Sequence, residues 1–272
     1  MATIPFAQID AFASQVFEGN QACVMPLDRF LPSETLQKIA AENNVAETAF
    51  IVPEGDGIWA LRWFTPAVEV PLCGHATLAA GHYLYTLGGY DGETITFRTQ
   101  KAGELFVSRL ADGRLEMDFP AKSTRELEPN AEINAALGKA PTRVFRGPCY
   151  VALYDTAAEI IALDPDLDRL KSLGTSDGEW GIGNFGCFAL DGGGVDVTSR
   201  FFAPGSGIPE DPATGSWHCV VSSLVAQLTG KSDIDCFQAY PGRGARIQTR
   251  LEGDRVKLRG HSVTVIEGTF KL

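Results

Sequence analysis

Two glycine turns and one glutamate hold the chemistry this sequence could perform. LCGHATLAAGHYLYTLGG begins at Leu72 and DPATGSWHCVVSSLVAQLTG at Asp211. Each is a small turn opening an apolar run that ends in glycine. Read as helices, neither run leaves a wide polar face, so both belong in a core. The start of a buried helix leaves its first N–H groups unpaired and carries partial positive charge. It needs an anion, a cap or water. The glycines let a ligand approach the backbone closely. The natural guest is a small carboxylate, and the same donors can stabilise an enolate-like charge developing beside it. Gly74, and Thr214, Gly215 and Ser216, are therefore the candidate substrate-binding residues. The local alternative is that both glycines only make tight turns and that Thr77 and Ser216 cap their own helices.

Such a site needs an acid or base. Glu47 stands where the amphipathic stretch ending NNVAE gives way to the strand TAFIV. Desolvation by apolar neighbours raises a carboxylate pKa, and a glutamate tuned to about 6–7 serves as a general acid/base. Asp211, just before the second helix, suits either substrate contact or an ordinary cap. His75 opens the first helix as a substrate or core donor. His82 lies inside that helix and reads as structural. Arg62 and Arg200 read as holding strand ends or pairing with acids.

The elements that position these residues come as a repeat. RWFTP at 62–66 returns as RFFAP at 200–204, about half a chain later. Each is followed by a loop rich in proline and acidic residues, then the glycine turn, then the apolar helix. A duplicated half-unit explains the matched order. Around the helices the sequence alternates like strands, in segments such as AQIDAFA, TITFRTQ, ELFVSRL, RLEMDFP, CYVALY, ARIQTRL and SVTVIEG. One buried helix per half, wrapped by mostly antiparallel strands, fits this inventory. PSETLQKIAAENN (32–44) and EINAALGK (132–139) are amphipathic and pack outside, the first starting at Ser33-Glu34. Segments 120–130 and 173–183 read as exposed connections.

Composition narrows the partners. The chain has 272 residues, 44% hydrophobic and 21% charged, with a formal net charge of −11. That charge argues against nucleic acid and against an anionic membrane surface. The N-terminus has no basic region or long apolar run and reads as no signal peptide. WHCVVSSLVAQL is too short to span a bilayer. The six cysteines, at 23, 73, 149, 187, 219 and 236, form no CxxC pair. Reduced thiols in a cytoplasmic protein are expected. Cys73-Gly74-His75 and His218-Cys219 lack the spacing and partner ligands of a zinc site, so no metal is expected.

The runs DAFASQVFEGNQACVMP (10–26), NNVAETAF (43–50), FTPAVEVPLCGHATLAAGH (64–82) and FFAPGSGIPEDPATGSWHC (201–219) resemble the phenazine-biosynthesis F-type isomerase family, related in fold to diaminopimelate epimerase. The resemblance covers nearly the whole chain. It implies an α+β fold of two similar halves, each a curved sheet around a central helix, with the active site between them. The expected boundaries are 1–118, joined by 262–272, and 119–261. It further implies a cofactor-independent proton shift along a conjugated substrate and a homodimer. The proton shuttle falls on Glu47, and substrate placement on His75 and Asp211. Carboxylate binding falls on the turn of Gly215 and Ser216, and the family's glycine-histidine pair on Gly74 and His75. Ala46 stands where many members have serine. The racemases of this fold use two cysteines, each before a helix-start glycine. Here Cys73 precedes Gly74 but Thr214 precedes Gly215. Cys73 at a helix start could have a lowered pKa, though it reads chiefly as buried.

The leading expectation is an isomerase moving a proton between carbons of a small cyclic or conjugated carboxylate. The alternatives are an amino-acid epimerase or racemase, and a non-catalytic ligand-binding protein on the same fold.

Overall fold

The computed structural model describes residues 3–128, 130–173, 180–191 and 193–272. The chain divides into two compact units, Met1–Asp118 with Arg259–Leu272, and Phe119–Leu258. Unit 1 contains β1 (Thr3–Ala11), β2 (Asn20–Pro26), α1 (Ser33–Asn43), β3 (Glu47–Gly55), β4 (Ile58–Phe64), β5 (Glu69–Val70), α2 (Gly74–Thr86), β6 (Thr94–Thr99), β7 (Glu104–Arg109) and β8 (Leu115–Pro120). The final strand, Ser262–Lys271, returns to it and runs antiparallel along β1, from Ala11 opposite Ser262 to Thr3 opposite Lys271.

Unit 2 contains β9 (Arg125–Leu127), α3 (Ala131–Leu137), β10 (Arg143–Arg146), β11 (Tyr150–Tyr154), α4 (Ala157–Ile161), α5 (Leu167–Ser172), β12 (Phe185–Ala189), β13 (Val197–Phe202), α6 (Gly215–Thr229), β14 (Asp233–Gln238), β15 (Ala245–Glu252) and β16 (Arg255–Gly260). Residue 129 and residues 174–179, within the two expected connections, lie outside the described residues. Part of the first connection is not a free loop, because β9 pairs with β10.

The repeat is visible strand by strand. In unit 1, β1–β2 is antiparallel, β2–β3 parallel, β3–β4 antiparallel, β4–β6 parallel and β6–β7 antiparallel. In unit 2, β10–β11, β11–β12, β12–β13, β13–β14 and β14–β15 follow the same alternation. The central helix follows the fourth strand in each, α2 after β4 and α6 after β13. Each parallel pair needs a crossover. The outer helix α1 provides it between β2 and β3, and α4 with α5 provides it between β11 and β12.

Packing follows the sequence pattern. Ala76, Leu78, Ala79, Ala80 and Leu84 of α2 are buried, as are Trp217, Val220, Val221, Leu224 and Val225 of α6. α2 packs against β1, β2, β3, β7 and the final strand, and α6 against β15. On the other face of unit 1, α1 buries Leu36 and Ile39 against Met25, Phe50 and Phe64. Each such side chain contributes about 1.5–3 kcal/mol by leaving water. α1 stops at Asn44, which turns left-handed and donates its N–H to Ala40 O. α1 begins at Ser33, as read from the sequence, with Pro32 at the N-cap position, and Ser33 Oγ accepts from Arg62 Nη2 at 2.9 Å.

The matched arginines do matched work. Arg62 donates two hydrogen bonds to Glu69, both 2.8 Å, and lies over the Phe64 ring. Arg200 donates two to Glu210, at 2.8 and 2.7 Å, and lies over Phe202. Guanidinium planarity makes this forked pairing and ring stacking available together.

Candidate functional site

Unit 1 brings three chain segments to one point. The parallel register sets Ala22 of β2 against Glu47 of β3, so Asn20 and Glu47 open neighbouring strands at the same end. The left-handed Asn44 turns the chain from α1 toward β3. Asn43 donates its amide to Thr48 Oγ1 at 3.1 Å, fixing the residue next to Glu47. From the third segment, α2 delivers His75 as its second residue. His75 Nε2 lies 2.9 Å from Glu47 Oε2, with side-chain exposures of 6% and 17%. Oε2 is buried with no aligned hydrogen bond on it, so the contact is one of charge more than of direction. Asn20 Nδ2 lies 3.2 Å from the other ring nitrogen, and Cys73 Sγ lies 3.5 Å from it.

Burial alone works against a charged imidazole here. The Cys73 sulfur and the Glu47 carboxylate outweigh it and hold the His75 pKa well above its ordinary value. Cys73 is buried, as its chief sequence reading has it, and is not an activated thiol. Burial pushes its pKa up, and the neighbouring Glu47 carboxylate adds to the rise. All six cysteines are free and buried. His82 is structural as expected. Its Nε2 lies 3.0 Å from Thr264 Oγ1, and burial pushes its pKa down to about 4.

Unit 2 carries the second turn. Asp211 Oδ2 accepts from Thr214 Oγ1 at 2.5 Å. Gln238, fully buried at the end of β14, clamps the same turn. Its Oε1 accepts from Thr214 N at 2.9 Å, and its Nε2 donates to Asp211 O at 2.6 Å. Gly215 is buried and Ser216 exposed as the first two residues of α6.

The local capping alternative is not what the structure shows. Neither Cys73 nor Thr214, at the two N-cap positions, makes a side-chain cap. Thr77 Oγ1 instead donates backward to Cys73 O at 2.6 Å. Its counterpart His218 has Nδ1 2.9 Å from Thr214 O. The outer helices α3, α4 and α5 are capped by Asn130, Thr156 and Asp166. The central pair, like α1, thus begin without the side-chain cap that α3, α4 and α5 use.

The structure brings Glu47 and His75 together in unit 1, with Gly74 between His75 and Cys73. In unit 2 it brings Asp211 and Thr214 together ahead of Gly215 and Ser216. Sequence reasoning missed Asn20 and Gln238. Asn20 lay inside the quoted 10–26 run, with no chemistry of its own to flag it. It also missed a donor set: Glu47, Cys73 and His75 each place one ligand atom within 4.8 Å of the others. Glu47 is the third donor that linear spacing around Cys73 could not reveal.

Two matched units, each with a mostly antiparallel sheet around a central helix, define the class to which diaminopimelate epimerase-like proteins belong. A family model described as "Phenazine biosynthesis-like protein" matches residues 9–268. An uncharacterized isomerase of Pseudomonas aeruginosa is 41% identical over 271 residues, covering 99% of each chain. The crystal structure of a PhzF family phenazine biosynthesis protein from Enterococcus faecalis superimposes with a TM-score of 0.93. It is 32% identical, and 100% of each chain is covered. A hydroxyproline epimerase from Agrobacterium vitis shares the fold alone, with a TM-score of 0.58 at 11% identity over 98% of this chain and 92% of its own. The chain belongs to the phenazine biosynthesis-like (PhzF) family. Among the described residues, no helix is long and apolar enough to cross a membrane.

Proposed function

We propose that this protein is a cofactor-independent isomerase that moves a proton from one carbon to another in a small cyclic or conjugated carboxylate. The supporting observation is the pairing of Glu47 with His75, a carboxylate largely withdrawn from water beside a histidine whose proton affinity is raised. Glu47 takes a proton from carbon, the electron pair spreads through the conjugated system toward the substrate carboxylate, and Glu47 returns the proton at a second carbon. Proton transfer by a positioned group contributes about 10²–10⁴-fold. In unit 1, His75 is the proposed group for orienting substrate and sharing protons with its polar groups, and the Gly74 N–H the proposed anion donor. In unit 2 the same parts fall to Asp211 and to the N–H groups of Gly215 and Ser216, with Thr214 completing the turn.

The racemase alternative has less support. Its second thiol position is Thr214, and the Cys73 thiol is held in its protonated form. The test is solvent-deuterium incorporation into a panel of small unsaturated cyclic carboxylates. Glu47→Gln should abolish incorporation into any acceptor found while the circular dichroism spectrum is unchanged. Incorporation that survives in Glu47→Gln would remove Glu47 from the mechanism.

A further inference from the structure

The start of α2 gathers a nitrogen, a sulfur and an oxygen donor from three residues, with one such atom of each within 4.8 Å of the others. We propose that Glu47, Cys73 and His75 form a binding site for a borderline-soft divalent transition metal ion, with Zn²⁺ as its representative. The site does not depend on the isomerase reading. If that reading holds, metal occupancy inhibits by engaging the shuttle carboxylate.

The donor set selects the ion class. Thiolate and imidazole suit zinc and its neighbours, whereas calcium and magnesium require oxygen ligands throughout. Three protein ligands and an open fourth position is the coordination of catalytic-type zinc sites. With metal–nitrogen and metal–oxygen bonds of about 2.0–2.1 Å and metal–sulfur bonds of about 2.3 Å, tetrahedral geometry spaces N and O by about 3.3 Å and S and N by about 3.6 Å. The observed spacings are 2.9 Å from Nε2 to Oε2 and 4.0 Å from Sγ to Nε2. For an ion to seat, the Glu47 carboxylate must turn slightly away from Nε2 and the thiol toward it, from a starting arrangement in which one ligand atom of each residue lies within 4.8 Å of the others. Oε2 has no aligned hydrogen bond to give up.

Asn20 supplies the outer support. A metal-bound imidazole needs an acceptor for its other N–H. The Asn20 amide already faces Nδ1 at 3.2 Å and presents its oxygen there on rotation about its last bond. Binding forms metal–N, metal–S and metal–O bonds and breaks the Cys73 S–H bond. That proton, and the Nε2 proton of an imidazolium, pass to buffer, and nothing is oxidised or reduced.

The experiment titrates chelator-treated protein with Co²⁺, an optically active stand-in for Zn²⁺. The expected result is one equivalent bound, with a thiolate-to-cobalt charge-transfer band and the intense visible bands of a tetrahedral ion, all displaced by Zn²⁺. Cys73→Ser should abolish the charge-transfer band, and Cys149→Ser should keep it. Glu47→Gln and His75→Gln should each weaken binding by at least about tenfold, the loss that even an outer partner causes. Circular dichroism of each variant separates ligand loss from misfolding, and Glu47→Gln, at a partly exposed position, serves as the second variant should Cys73→Ser fail to fold. Absence of the band, a band that persists in Cys73→Ser, or affinity unchanged in Glu47→Gln would overturn the site. None of these results bears on deuterium incorporation, so the metal site and the isomerase reading can fail separately.

Discussion

Arg200 and Glu210 form a forked ion pair whose side chains retain only 8% and 9% of their exposure. A third arm of the guanidinium, Nη1, donates to Leu163 O at 2.6 Å. Removing one partner of a buried pair strands the other charge, at about 3–5 kcal/mol. Glu210→Ala should therefore lower the urea midpoint sharply. The matching Glu69→Ala should cost about 1 kcal/mol or less, because Glu69 is 31% exposed and water replaces it. Equal losses in the two variants would show that the pairs are equivalent despite their burial.

Gly186 of β12 faces the Trp217 ring so closely that an added Cβ would come within 2.2 Å of it. The indole is rigid and fully buried. Gly186→Ala should destabilise by about 1–3 kcal/mol through overpacking. Trp217→Leu in that background should cost less than it does in the native protein. Additive losses in thermal melts of the double variant would rule out this contact as the cause.

Acid should weaken the fold through His82 and His218, each pushed by burial down to about 4. Both stay neutral in the fold, while the unfolded chain takes up a proton near pH 6.5. Stability is then full above about 6.5 and falls as the pH drops toward 4. The slope is about 1.4 kcal/mol per pH unit for each histidine. His82→Gln should remove one histidine's share of that slope, read from denaturation midpoints at pH 4.5 and 7. An unchanged slope would show that His82 gains a proton in the fold.

Gln238 satisfies Thr214 N and Asp211 O together. Gln238→Leu removes the acceptor of Thr214 N and a donor to Asp211 O, at about 1–3 kcal/mol. Amide exchange at Thr214 should speed up in this variant, and Gln238→Glu should restore part of the protection. Exchange unchanged at Thr214 would mean that the turn holds itself.

What the sequence made legible was what its repeat and its apolar runs encode. The two glycine turns, both central helices and the Arg62 and Arg200 pairings follow from adjacent residues. β14 was not recognised as a strand. Its inward face is Ile234, Cys236 and Gln238, too few apolar positions to announce a strand. Asn20 and Gln238 act through contacts made across chain separations that no spacing rule reaches. The short helices α4 and α5 escaped because each buries few side chains and depends on its cap, a feature lost among ordinary polar residues.

The final strand pairs with β1 along its whole length, although about half of the chain lies between unit 1's two segments. A ribosome therefore releases unit 2 before unit 1 has received its last strand. The glutamate–histidine pair must wait in an unfinished half, with a bare β1 edge open to other chains until that strand is made.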